Sequence, residues 1–174
     1  MNETIKVLTG RRAVRRYLPR QVDEAALNDI IEAGRYTPSG MGKQPCVMVV
    51  VQDKATRDQL SRMNAEIMGS DGDPFYGAPC VIVVLENMDI AACPGYDGPL
   101  MMGNLMNAAY AVGVDSCWIH RAREMFETDE GKALLKKWGL EGNYRGVGNC
   151  ILGYHDGAFP DPKPRREGTV IRVR

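Results

Sequence analysis

From Pro99 to Val112 the chain offers a helix almost no polar face, because Met101, Met102, Leu105, Met106, Ala108, Ala109 and Val112 ring it nearly all the way round. A helix that is apolar on every side must be buried on most of them. The chain has 174 residues, the size of one domain. In so small a body such a helix is either a central core element or part of a surface shared between two subunits. A chain of this length buries roughly 70% of its unfolded surface, so it needs neither disulfide nor metal to fold.

The segments around this helix alternate in period. Residues 2–9 read as a short helix stopped at Gly10, and residues 23–36 as a longer one. In the longer one Asp23 is placed to cap, and Leu27, Ile30, Ile31 and Gly34 recur at helical spacing. Residues 54–67 and 129–138 have the same character. Val47–Val51, Val81–Leu85, Asp115–Ile119 and Gly146–Leu152 are short, apolar and rich in β-branched residues, which marks buried strands. Val170–Val173 can add a last edge strand. The stretches 37–42 and 69–78 are loops by composition. Strands separated by helices imply an α/β or α+β sheet covered by helices, with no internal repeat and no linker between domains.

Lys and Arg balance Asp and Glu at 22 each, so nothing suggests the broad basic field that nucleic acid requires. The positive charge is instead concentrated near the two ends. Arg11, Arg12, Arg15 and Arg16 crowd one, and Lys163, Arg165 and Arg166 the other. Arg11 and Arg15 share one side of the backbone whether the segment is helical or extended. Guanidinium groups hold phosphate through paired charge-assisted bonds. The run is therefore either a phosphate grip or a solvated basic face.

Other motifs are weak or missing. Gly146-Val147-Gly148 lacks the third glycine of a dinucleotide loop. Gly40-Met41-Gly42-Lys43 lacks the hydroxyl and upstream glycine of a nucleotide phosphate loop. There is no Gly-x-Ser-x-Gly elbow and no paired carboxylate, so hydrolysis by side-chain acid and base is not indicated. His120 and His155 are too isolated to suggest zinc. Of five cysteines, Cys46, Cys80, Cys117 and Cys150 lie in or beside apolar runs and read as buried thiols, while Cys93 lies in a loop. The start, Met1 to Lys6, has no basic segment leading into an apolar one, and no apolar run approaches the ~20 residues that span a bilayer. A cytoplasmic location is expected.

A phosphate grip, a small Pro-Ser-Gly loop and a deep apolar core suit a cofactor that brings its own chemistry. Taken in order, the motifs resemble those of the nitroreductase family of FMN-dependent oxidoreductases, in particular its short members. The likeness begins with Arg11-Arg12-Ala13-Val14-Arg15, continues through Thr37-Pro38-Ser39-Gly40 and Gln44-Pro45, and reaches Gly77-Ala78-Pro79. Asn104 to Ala109 with Gly113 to Ile119 come next, then Leu152-Gly153-Tyr154 and Pro162 to Arg165. The resemblance implies an α+β fold, a mixed β-sheet flanked by helices, in a single FMN-binding domain over residues 1–174. It implies a homodimer with FMN at the subunit interface, and residues 154–174 as an extended C-terminal arm. The implied reaction moves hydride from NADH or NADPH through flavin N5 to an electron-poor small-molecule acceptor (nitroaromatic, quinone or enone-like) by a ping-pong scheme. No side-chain nucleophile, metal, nucleic acid or membrane takes part.

By the same resemblance, Arg11, Arg12, Ala13 and Arg15 contact the FMN phosphate and ribityl chain, and Lys163 and Arg165 close the phosphate site. Pro38, Ser39 and Gly40 line the isoalloxazine, and Gln44 reaches a polar edge or the ribityl chain. Ile119 and His120 approach the ring from the end of the third strand, with His120 shaping the pocket rather than acting as a catalytic acid. Asn104, a polar residue on the apolar helix, must find a partner in the flavin environment or on a neighbouring backbone. Ala13, Gly42 and Cys46 depart from the family's Ser, Asn and aromatic residue, which leaves the substrate open. Two other classes stand beside this one. A flavin-binding carrier or sensor would not turn over, and a thiol redox protein would depend on Cys93.

Overall fold

The structure, a computed structural model, describes residues 1–174. Six helices and four strands follow one another along the chain. They are α1 (Glu3–Gly10), α2 (Glu24–Arg35), β1 (Cys46–Val51), α3 (Lys54–Met68), β2 (Cys80–Asn87), α4 (Asp97–Ala111), β3 (Asp115–Ile119), α5 (Ala122–Glu127), α6 (Asp129–Lys137) and β4 (Tyr144–Gly153). A single turn of 3-10 helix, Gly40–Gly42, lies between α2 and β1. The strands form one sheet in the order β1-β2-β4-β3.

The fold is α+β, but all three strand pairings are antiparallel. Parallel pairing is confined to one isolated bridge, Ala13 to Ser116. The continuous apolar run of β2 arises because helices cover both faces of the sheet. Side chains alternate along a strand, so Val81, Val83 and Leu85 enter one core with Leu60, Met125 and Leu134. Cys80, Ile82 and Val84 enter the other with Leu27, Ile30, Met102 and Leu105. The first core lies under α3, α5 and α6, the second under α2 and α4.

Three features differ from the sequence reading. Residues 170–173 form no strand, and Val170, Ile171 and Val173 stand 76%, 86% and 94% exposed. A strand exists only by pairing, and no strand of this chain takes them. α5 was not anticipated. It is held hard against β4, since a Cβ at Gly146 would come within 2.2 Å of the Ala122 carbonyl oxygen. The apolar helix α4 is covered on one side only. Met101, Met102, Leu105 and Ala109 are buried, whereas Leu100 is half exposed and Val112 borders on exposure. No helix is long and apolar enough to cross a membrane.

The loop at 69–78 is organised by one carboxylate. Asp73 accepts from the Arg57 guanidinium, the Ser61 hydroxyl and the backbone N–H groups of Phe75 and Gly77. Burial raises its pKa, but the bonds from Arg57, Ser61 and the two amides outweigh burial and bring it below the ordinary 3.8. A carboxylate depressed on folding stabilises the fold above its unfolded pKa, and that contribution is lost as pH falls through the lower folded value. Asp73→Asn should therefore flatten the fall of thermal midpoint below pH 3.8 relative to the parent chain. Equal acid slopes for the two proteins would refute this.

Candidate functional site

The basic run leaves α1 at Arg11 and proceeds in extended form beside β3. Val14 N–H donates to the Ser116 carbonyl at 3.2 Å, Ala13 bridges Ser116, and Tyr17 bridges His155. Val14 and Tyr17 point inward at 2% and 7% exposure and seat the segment. Arg11 and Arg15 both lie within electrostatic reach of Cys117. Burial raises that thiol's pKa, and the two guanidinium groups act against it. Arg16 pairs with Asp156 at 2.7 Å, whereas neither Arg11 nor Arg15 has a carboxylate partner, and Arg11 Nη1 is buried with no partner of any kind. Arg12 has another task. Its Nη1 donates to the carbonyls of Thr9 (2.9 Å) and Arg11 (2.7 Å), closing the end of α1, and its Nε is buried without a partner.

At the far end of β3, Ile119 is buried and His120 is exposed. The His120 carbonyl is held at 2.7 Å by the side-chain amide of Asn64. Asn64 is fully buried, and its Oδ1 has no partner. Ser116 Oγ and Asn149 Oδ1 are likewise buried and unpartnered, on β3 and on its neighbour β4. Unsatisfied buried polar atoms are rare. Asn64 Oδ1 and Asn149 Oδ1, both beside Met125, lie on the face of the sheet that carries Cys117 and Ile119, whereas Ser116 Oγ and Trp118 Nε1, also buried and unpartnered, alternate to the other. Sequence reasoning missed Asn64. The available signal was a polar residue four positions after Leu60 on the buried face of an amphipathic helix.

A second locus lies at the end of α2. Pro38, Ser39 and Gln44 line a cavity of about 520 Å³ with Cys46, Asp97 and Met101, none of them from the basic run. The loop is stiffened from within. Gly40 N–H donates to Asp97 Oδ1 at 3.0 Å, and Gln44 N–H to Ser39 Oγ at 2.9 Å. Met41 and Gln44 adopt φ of 53° and 48°, strain that a fixed loop conformation must support. Cys93 packs on Gly40, where a Cβ would meet its Sγ at 2.9 Å. Burial, then the Glu86 and Asp97 carboxylates, push the Cys46 thiol up to about 12, so it is no nucleophile at neutral pH.

The predicted residues thus divide. Arg11, Ala13 and Arg15 belong to the segment beside β3, whose far end carries Ile119 and His120, while Pro38, Ser39, Gly40 and Gln44 form the other group. Ala13 packs on one core, and Cys46 and Met48 on the other, so the two groups belong to different sides of the sheet. Asn104 joins neither, because its amide donates to the Ala33 carbonyl in the last turn of α2 at 3.3 Å. A neighbouring backbone is the partner that this polar residue required. Lys163 and Arg165 are exposed on a segment without regular structure.

The Nitroreductase family profile matches residues 8–154. This chain belongs to the nitroreductase family. A relative from Archaeoglobus fulgidus, which carries the name NADH dehydrogenase/NAD(P)H nitroreductase, is 28% identical over 88% of this chain and 86% of its own. The FMN reductase [NAD(P)H] of Bacillus subtilis is 38% identical over a shorter stretch, 36% of this chain and 25% of that protein. Among solved structures, a nitroreductase with bound FMN from Bacteroides fragilis superposes with a TM-score of 0.91 at 28% identity, over all of both chains. One from Desulfitobacterium hafniense, also with bound FMN, gives 0.88 at 24% identity, again over all of both chains.

Proposed function

We propose that this nitroreductase-family chain is an NAD(P)H-dependent FMN oxidoreductase, acting as a homodimer in which residues 1–174 form one flavin-binding unit. The observation that carries this reading is Arg11, whose Nη1 is buried and unpartnered in a segment beside β3 where Arg15 also lacks a carboxylate partner. A part-buried cation without a counter-charge is unfavourable until an anion completes it. A flavin phosphate carries up to two charges of the required sign.

The remaining unpartnered atoms fit the rest of such a cofactor. From Ser116 to His120 the strand spans about 13 Å at ~3.3 Å per residue, with the cations at one end and the Asn64 amide at the other. Arg11 and Arg15 would hold the phosphate with Lys163 and Arg165, and Ala13 would border the ribityl chain. Asn64, Ile119 and His120 would face the ring. Arg12 would serve by fixing the end of α1 and the Arg11 backbone. When bound, FMN would supply the electron chemistry, hydride exchange at N5 between NADH or NADPH and a nitroaromatic, quinone or enone-like acceptor. The side chains orient the ring, exclude water and neutralise the phosphate.

The dimer reading draws support from three observations. The Pro38–Gly40 loop and the basic run lie on different sides of one chain's sheet, so a second chain can supply the missing wall. α4 has an uncovered apolar side. The exposed β-branched segment at 170–173 has no partner in its own chain, which suits an arm, residues 154–174, that reaches across. Five free cysteines accord with a reducing cytoplasmic setting.

The test is the absorption spectrum of the purified protein, identification of the released flavin, and consumption of NADH or NADPH with a quinone or nitroaromatic. Turnover through bound FMN is expected. A protein that binds no flavin ends the proposal. Flavin that is bleached by the nicotinamide but reoxidised by no acceptor would leave the carrier or sensor reading in its place.

A further inference from the structure

The root of the arm is fastened more firmly than a terminal segment requires. Leu18 N–H donates to the Tyr154 carbonyl at 2.8 Å, and Asp156 N–H to the Arg16 carbonyl at 3.1 Å. Residues 154–156 are thereby zipped to the end of the basic run. Beyond that zipper, Asp115 Oδ2 accepts from both the backbone N–H (2.8 Å) and the ring Nδ1 (2.7 Å) of His155. Asp115 is 8% exposed. The His155 ring meets Phe159 edge-on at 5.7 Å, and Phe159 in turn stacks on Tyr110 at 5.9 Å. From Asp161 onward every residue is exposed.

We infer that Asp115 and His155, with Phe159 packed edge-on against the histidine, form a latch that positions the phosphate-binding tail and so sets how strongly the protein prefers FMN to unphosphorylated riboflavin. The inference rests on the function proposed above. The latch works through chain length. With Phe159 fixed, Lys163 is four residues from its anchor and reaches about 14 Å at ~3.5 Å per residue. With the latch open, the last anchor is Asp156, held by the Arg16 carbonyl and guanidinium and seven residues away, and the reach grows to about 25 Å. The effective concentration of the Lys163 and Arg165 charges at the phosphate then falls about two- to fivefold, between a three-halves-power and a cubic dependence on length. Asp115 and His155 act here as positioning residues, with no contact to the flavin required of them.

The experiment uses the full chain stripped of flavin, titrated with FMN and with riboflavin by quenching of flavin fluorescence. In the His155→Ala/Phe159→Ala variant the preference for FMN should fall about two- to fivefold, with riboflavin affinity unchanged. His155→Asn, which keeps a side-chain N–H donor for Asp115, should retain the preference. In a Lys163→Ala/Arg165→Ala background, opening the latch should alter the preference no further, since no cations remain to be placed. Both substituted residues lie outside helices and strands, and the thermal midpoint of each variant reports whether it is folded. An unchanged preference would overturn the inference, as would equal losses for both flavins or the same loss in the background lacking the two cations. Failure of the unaltered chain to favour FMN over riboflavin would instead strike the phosphate grip itself.

Discussion

The Arg11→Ala/Arg15→Ala variant should purify folded and colourless. Each charge-assisted hydrogen bond contributes about 1.5–3 kcal/mol, so removing both cations weakens flavin binding by about 3–6 kcal/mol, a factor of roughly 10²–10⁴. The fold should tolerate the change. Neither arginine has a carboxylate partner to strand, and Val14 and Tyr17, which seat the segment, are untouched. Removing a part-buried cation that has no partner also relieves a desolvation cost in the flavin-free protein. The measurement is flavin content per chain beside the thermal midpoint of the apoprotein. Full FMN occupancy in the double variant would remove the basic run from the site. Loss of colour together with loss of folding would mean that the arginines are structural.

Glu86→Ala should produce the largest loss of stability. Glu86 is fully buried in β2, pairs with Arg145 at 2.8 Å and accepts from the Gly95 N–H through both oxygens. Breaking a buried pair from one side costs about 3–5 kcal/mol. The lower end applies, because the Arg145 side chain is 29% exposed and can turn to water. At about 2–4 °C per kcal/mol for a chain of this size, the thermal midpoint should fall by roughly 6–12 °C. The damage should also reach the Pro38–Gly40 loop. Gly95 belongs to the segment whose Cys93 packs on Gly40, and Asp97, two residues on, holds the Gly40 amide. Glu86→Gln, which keeps acceptor and shape, should lose less. A midpoint within 2 °C of the parent chain in Glu86→Ala would show that the pair is not an anchor.

How far the site could be read in advance follows from the range of the interactions that build it. The Arg11–Arg15 spacing is a local property, and both side chains lie within electrostatic reach of one thiol, Cys117. The Pro38-Ser39-Gly40 turn and the termini of β3 were legible for the same reason. Arg12 was misread in part, since its bonds go to carbonyls at the end of α1, and a charged side chain gives no sequence sign of capping the helix just behind it. Asn64 left only a faint trace because α3 is amphipathic without it. α5 was missed because six residues make too little periodicity to register, and its seat depends on the missing side chain at Gly146.

The sequence by itself determined the secondary structure and the chemistry on offer. The apolar run of β2, the bare surface of α4 and the cations near both termini each follow from neighbours within a few positions, where periodicity and charge act directly. Only the tertiary structure decided the antiparallel order β1-β2-β4-β3, the division of the site between two sides of the sheet, and the latch that ties His155 to Asp115. These join residues remote along the chain. Their pairing is settled by which faces can be buried together, a global condition that no local pattern encodes.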